Sequence, residues 1–208
     1  GSQSDRFDAP SMPYAFDLWV DGVVSETTTE TVLLPGVDYT LVLYNDSDTL
    51  AMLRLEDDLS ATADDSTLAR VRATHVVAGV GQVDVYDTLG PVELFADLDF
   101  ATASTAAELP TGPMAVGVDI DDDGATDFGY QELDLAGYEG ESLNVIAYES
   151  SGANFLFISH LRDNFGWRVL PDGVLSVGTW ESASSTPALA ITDYDWTVGV
   201  VPVTDSVE

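Results

Sequence analysis

Residues 119–127 read DIDDDGATD, with carboxylates at Asp119, Asp121 and Asp123, a glycine at 124 and a fourth carboxylate at Asp127. Hard cations such as calcium take about six to eight oxygens. An EF-hand-type loop supplies them largely from alternate positions, with a glycine at the sixth for the sharp turn. Mapped this way, the ligands are Asp119, Asp121, Asp123, the carbonyl of Ala125, and Asp127, with Gly124 at the turn. Tyr130 falls where the bidentate glutamate belongs, and Glu132, two residues on, is the available substitute. The flanks MAVGV and FGYQEL read as strands. A solvated acidic hairpin turn is the competing reading in a chain rich in aspartate. Four matched carboxylates and the glycine favour a structural Ca2+.

Other residue types offer less. In ARVRATHVV (69–77), alternation sets Val71, Ala73, His75 and Val77 on one face, which makes His75 a core or rim histidine rather than a base. His160 ends an apolar strand beside Arg162 and Asp163, where a structural ion pair is expected. No nucleophile elbow accompanies the abundant Ser and Asp, so no catalytic triad is expected. Trp19, Trp167, Trp180 and Trp196, with Tyr138 and Tyr194, could stack on a sugar, so a glycan stays open as a ligand; core or inter-domain placement is the plainer reading. The expectation is a protein that is not an enzyme.

Charge narrows the partners. The 208 residues carry 37 Asp+Glu against 6 Lys+Arg, a formal net charge of −31. All the basic residues are arginines. Such a surface repels phosphate backbones and anionic headgroups, which argues against nucleic acid and membrane surfaces. Self-repulsion on this scale opposes compaction unless counter-ions screen it. A halophilic or marine source fits that requirement, and an acidic secreted protein that binds divalent ions fits it too. Without cysteine, disulfides and thiol chemistry are excluded. No apolar run approaches the ~20 residues of a membrane helix, so no membrane insertion is expected. Gly1-Ser2 reads as a cloning scar or as a mature terminus after processing, and Asn45-Asp46-Ser47 is a glycosylation sequon.

The dominant period of the chain is two, and no amphipathic helix is evident. Expected strands include FDLWV (16–20), DYTLVLY (38–44), LAMLRL (50–55), ARVRATHVV (69–77), QVDVY (82–86), PMAVGVD (113–119), FGYQELDL (128–135), SLNVIAYE (142–149), FLFISHL (155–161) and DWTVGVVPV (195–203). Turn-rich clusters such as NDSD, SSG and PDG separate them. An internal repeat aligns GVDYTLVLYNDSDTLAML (36–53) with GESLNVIAYESSGANFLFI (140–158), with a slightly longer turn expected in the second copy. Between the FDLW/VDVY and glycine landmarks the first copy is about 37 residues shorter, and it lacks a counterpart of ARVRATHVV.

ARVRATH (69–75), VDVYD (83–87), ELPTGPMAVGV (108–118) and LAGYEGESLNVIAY (135–148) together resemble one repeat of domain-of-unknown-function family 4397. LEDDLSATADD (55–65) is similar to the linker between tandem copies in that family. The resemblance spans residues 31–163 and departs after the histidine, where VVAGVG replaces a Ser-Pro-Asp-like turn. It implies secreted or cell-surface β-sandwich repeats and no catalytic residues. The acidic stretch resembles DxDxDG calcium loops inserted in extracellular β-proteins.

The expected fold is all-β, with two immunoglobulin-like antiparallel β-sandwich domains: residues 1–66, completed by 165–208 or by a neighbouring subunit, and residues 67–164 with the acidic loop. The expected function is a calcium-stabilised secreted or cell-surface structural protein. It would form a homo-oligomer or polymer such as a filament, appendage or surface layer, joined by donor-strand complementation. The alternative is an adhesion module that binds a glycan or a protein.

Overall fold

The computed structural model describes residues 8–20, 23–28, 31–46, 49–59, 67–90, 92–129, 133–150, 153–161, 165–169, 175–176, 188–191 and 196–202. Every regular element among them is a strand. In chain order these begin with β1 (Pro13–Val20), β2 (Val23–Thr27), β3 (Thr31–Val32), β4 (Asp38–Asp46) and β5 (Thr49–Asp57). Then come β6 (Leu68–Val76), β7 (Val83–Asp87), β8 (Val92–Leu98), β9 (Thr102–Ala103), β10 (Ala107–Pro110), β11 (Val116–Asp119) and β12 (Phe128–Gly129). The remainder are β13 (Ser142–Ser150), β14 (Ala153–His160), β15 (Phe165–Val169), β16 (Leu175–Ser176), β17 (Ala188–Ile191) and β18 (Trp196–Pro202).

The chain divides into two compact units, residues 1–58 with 180–208, and residues 59–179. In the first, an antiparallel sheet runs β17-β18-β1-β2, with β3 also pairing β1. β18 lies along β1 from Tyr14↔Pro202 to Val20↔Trp196, so the C-terminal strand reaches the first unit within the same chain. Alternation in PYAFDLWV buries Tyr14, Phe16 and Leu18, leaving Asp17 and Trp19 partly exposed. These three join Leu50, with Leu41, Leu43 and Met52 packed around them, so the hairpin β4–β5 shares their core. The tail does not go entirely to the first unit: β15 extends the second unit's sheet beside β14.

The second unit is two sheets, β10-β6-β13-β14-β15-β16, with β9 also on β6, and β12-β11-β7-β8. Ala69, Val71 and Leu143 from the first face Phe95, Leu98 and Val116 from the second in one buried cluster. One pair departs from the antiparallel expectation. β6 and β13 run parallel, from Arg70↔Ser142 to Val76↔Tyr148. A parallel neighbour needs a long crossover, which the intervening second sheet provides.

The internal repeat is visible as structure. β4 begins at 38 and β13 at 142, β5 at 49 and β14 at 153, a constant offset of 104 residues. Gly36 and Gly140, which precede the hairpins, both hold positive φ, 72° and 79°. The expected longer turn in the second copy is absent: two residues separate the strands in each hairpin.

Candidate metal centre

The acidic loop is closed at its base by the short ladder Gly117↔Gly129 and Val118↔Phe128. Gly117 is needed there, because an added Cβ would fall 2.6 Å from Thr126 Cγ2 and 2.7 Å from Thr88 Cγ2. Left-handed backbone at Asp122 (φ 57°) and Gly124 (φ 81°) then curls the chain back over its own start. Aspartate and glycine are the residues that tolerate this region, which is why DDDG can make the turn.

The curl converges backbone N–H groups on Asp119, whose side chain is 1% exposed. Its Oδ1 accepts from Asp121 N (3.1 Å) and Asp122 N (3.0 Å), and its Oδ2 from Gly124 N (2.8 Å). Burial alone would push this carboxyl up. The N–H donors of Asp121, Gly124, Asp122 and Asp123 outweigh it and hold Asp119 below the usual carboxylate range. Asp127 ties the far end down: its N–H donates to Val118 O at 2.8 Å, and its Oδ2 accepts from Ile120 N at 3.0 Å.

Asp119, Asp121 and Asp127 thereby bring one carboxylate oxygen each within 4.8 Å of one another. Like charges this close repel. The charge of Asp123 raises the Asp121 carboxyl first, then burial, then the charges of Asp127 and Asp119. A divalent cation would convert that repulsion into attraction, and oxygen-only donors suit a hard ion. Of the five residues expected from spacing, three form this group. Asp123 stands outside it, its Oδ1 accepting from Ala125 N at 2.8 Å. Ala125 is exposed in the same turn. Tyr130 and Glu132 lie outside the described residues.

What the spacing did not foretell is the second duty of Asp119 as a buried acceptor of three backbone bonds. The available signal was its position as the last residue of an apolar strand, just before a run able to adopt left-handed backbone.

Both histidines are buried. His75 is 1% exposed; Val77 N–H donates to Nδ1 at 3.4 Å, which places the ring proton on Nε2, 3.0 Å from Gly81 O. Burial pushes its pKa down, partly countered by the carbonyls of Gly81 and Val80. His160 is 2% exposed, with Nε2 3.6 Å from Glu141 Oε2. Its expected neighbours Arg162 and Asp163 lie outside the described residues. So do Trp180 and Tyr194, and the side chains of Trp167 and Trp196, leaving Trp19 and Tyr138 as half-buried members of the aromatic set. A cavity of about 60 Å3 opens between the two sheets of the second unit, lined by Val71, Val85, Leu94, Phe95, Val118 and Leu156 among others. Its lining is almost wholly apolar. Among the described residues, no helix is long and apolar enough to cross a membrane. No protein-family model matches the chain, and no curated protein matches it.

Proposed function

We propose that this is a non-enzymatic, calcium-stabilised structural protein, secreted or displayed at a cell surface, that serves as a subunit of an extracellular assembly. The observation that carries the reading is the loop 119–127, where a buried, backbone-held Asp119 sits within 4.8 Å of the exposed carboxylates Asp121 and Asp127. A loop of this kind between paired strands suits a cation that fastens a sheet edge. His75 supports a non-catalytic role, since both its ring nitrogens are engaged by the backbone.

On this reading the two units are immunoglobulin-like sandwiches related to family 4397, and the hairpins repeated at a constant spacing are their shared element. The neighbours of the subunit are further copies of the chain, with sheet edges as the joints. The net charge of −31 suits surroundings rich in salt or divalent ions. Calorimetric titration of the metal-free chain with CaCl2 tests the reading. It expects one site, with a Kd on the order of 10⁻⁴ to 10⁻³ M as in extracellular modules. No heat beyond dilution, or heat unchanged in Asp121→Ala, would reject it.

A further inference from the structure

The hairpins β4–β5 and β13–β14 are one device in two settings. In the second unit β13 has a strand on both sides, β14 antiparallel and β6 parallel. In the first unit β4 pairs with β5, and among the described residues no strand takes its other side. Exposure follows this difference at the first three positions, and from Leu41 to Asn45 it matches that of Val145 to Glu149. Asp38 is exposed where Ser142 is 6% exposed, and Tyr39 and Thr40 are half-buried where Leu143 and Asn144 are at 1% and 0%.

We propose that this side of β4 accepts an extended strand from a partner protein, added parallel as β6 is added to β13, with arginines at alternate positions and small apolar residues between them. The proposal rests on the strand-addition reading above for the kind of joint, with a second protein rather than a further copy of this chain as the donor at this edge. Its chemistry is set by β6, which reads LARVRATHV. There Arg70 lies opposite Ser142 and Arg72 opposite Asn144, and Arg72 Nε–H donates to Asn144 Oδ1 at 2.7 Å. The first unit presents Asp38 and Thr40 at those two places, and the Thr40 hydroxyl donates to Asp57 Oδ2 at 2.6 Å. A guanidinium there would meet carboxylates where the second unit offers a hydroxyl and an amide, a stronger match. Val71 and Ala73, opposite Leu143 and Val145, set the small apolar residues that would lie along Tyr39 and Leu41. A second β4 suits the edge less well. Antiparallel pairing centred on Val42 would set Asp38 against Asp46, like charges directly opposed.

The test uses the full chain, isotopically labelled, and a synthetic peptide of residues 67–78, TLARVRATHVVA. Saturable amide shifts are expected at Tyr39–Leu43. A peptide with both arginines replaced by alanine should bind roughly three- to tenfold more weakly in dilute buffer, a gap that closes in molar NaCl. Asp38→Asn, at an exposed position, should narrow the same gap. No saturable shift overturns the proposal, as do shifts confined to the surroundings of β6 and β13, or equal binding of the two peptides. Assembly without peptide binding at β4 would reject this edge and leave the proposed function standing. Binding at β4 by a chain that never assembles would keep the edge and reject that function.

Discussion

Asp121 and Asp119 share a loop but should respond oppositely to mutation. Asp121 is exposed and repelled by Asp123, Asp127 and Asp119. Asp121→Ala should therefore leave the metal-free protein as stable as wild type or slightly more so, while removing its response to calcium. Asp119→Ala strips three N–H groups of their acceptor and should lower the melting temperature even in EDTA. Thermal scans with EDTA and with calcium separate the two. A ligand at a hundredfold excess over its Kd stabilises the folded state by about 2.7 kcal/mol. If both variants behave alike in EDTA, the assigned roles are wrong.

His75 gives a pH prediction. Its folded pKa lies below the ordinary 6.5, because burial disfavours the charged ring. The neutral ring's contribution is thus complete above 6.5 and is lost as pH falls from there toward the folded value. Urea midpoints of wild type should drop between pH 7.5 and 5.5 by more than those of His75→Gln. Equal drops would contradict it. Thr74 is 1% exposed, and among the described residues its Oγ1 has no hydrogen-bond partner. An unmet buried hydroxyl costs about 1–3 kcal/mol, so Thr74→Val should be neutral or stabilising by denaturant titration. A clear loss would reveal a partner for that hydroxyl.

At the scale of elements, β18 is the strand on which the first unit depends. It covers β1 from Tyr14 to Val20. Removing residues 180–208 should abolish the first unit's unfolding transition and leave that of residues 59–179, as read by calorimetry. A truncated chain that keeps both transitions would show that β18 is dispensable. Strands of this kind were legible because a half-buried sheet alternates: FDLWV buries Phe16 and Leu18, and SLNVIAYE gives β13 almost to the residue. β8 was not legible. Its VELFADL buries Phe95 and Leu98, three apart, because Asp97 takes a positive φ of 52° and its N–H is held by Asp84 Oδ1 at 2.6 Å. That irregularity breaks the period on which the sequence argument relies. β2 escaped for a different reason, since all five of its residues are exposed. Spacing pointed to Asp119, Asp121 and Asp127, which the loop brings together, and also to Asp123, which stands outside the group. The division of labour among them was not legible, because it depends on which side chain the backbone curl encloses.

For the whole molecule, the excess of 31 negative charges predicts salt-dependent stability. With calcium chelated, unfolding midpoints should rise from dilute buffer to molar NaCl as the screening length shrinks to roughly 3 Å. A flat response would remove the argument for a salty environment. Calcium should govern assembly by fixing the loop and neutralising part of the repulsion between copies. Negative-stain microscopy of the full chain in millimolar calcium and in EDTA tests this most directly. Filaments or sheets are expected with calcium and dispersed particles in EDTA; single particles under both conditions, at calcium concentrations well above its Kd, would contradict a calcium-dependent assembly.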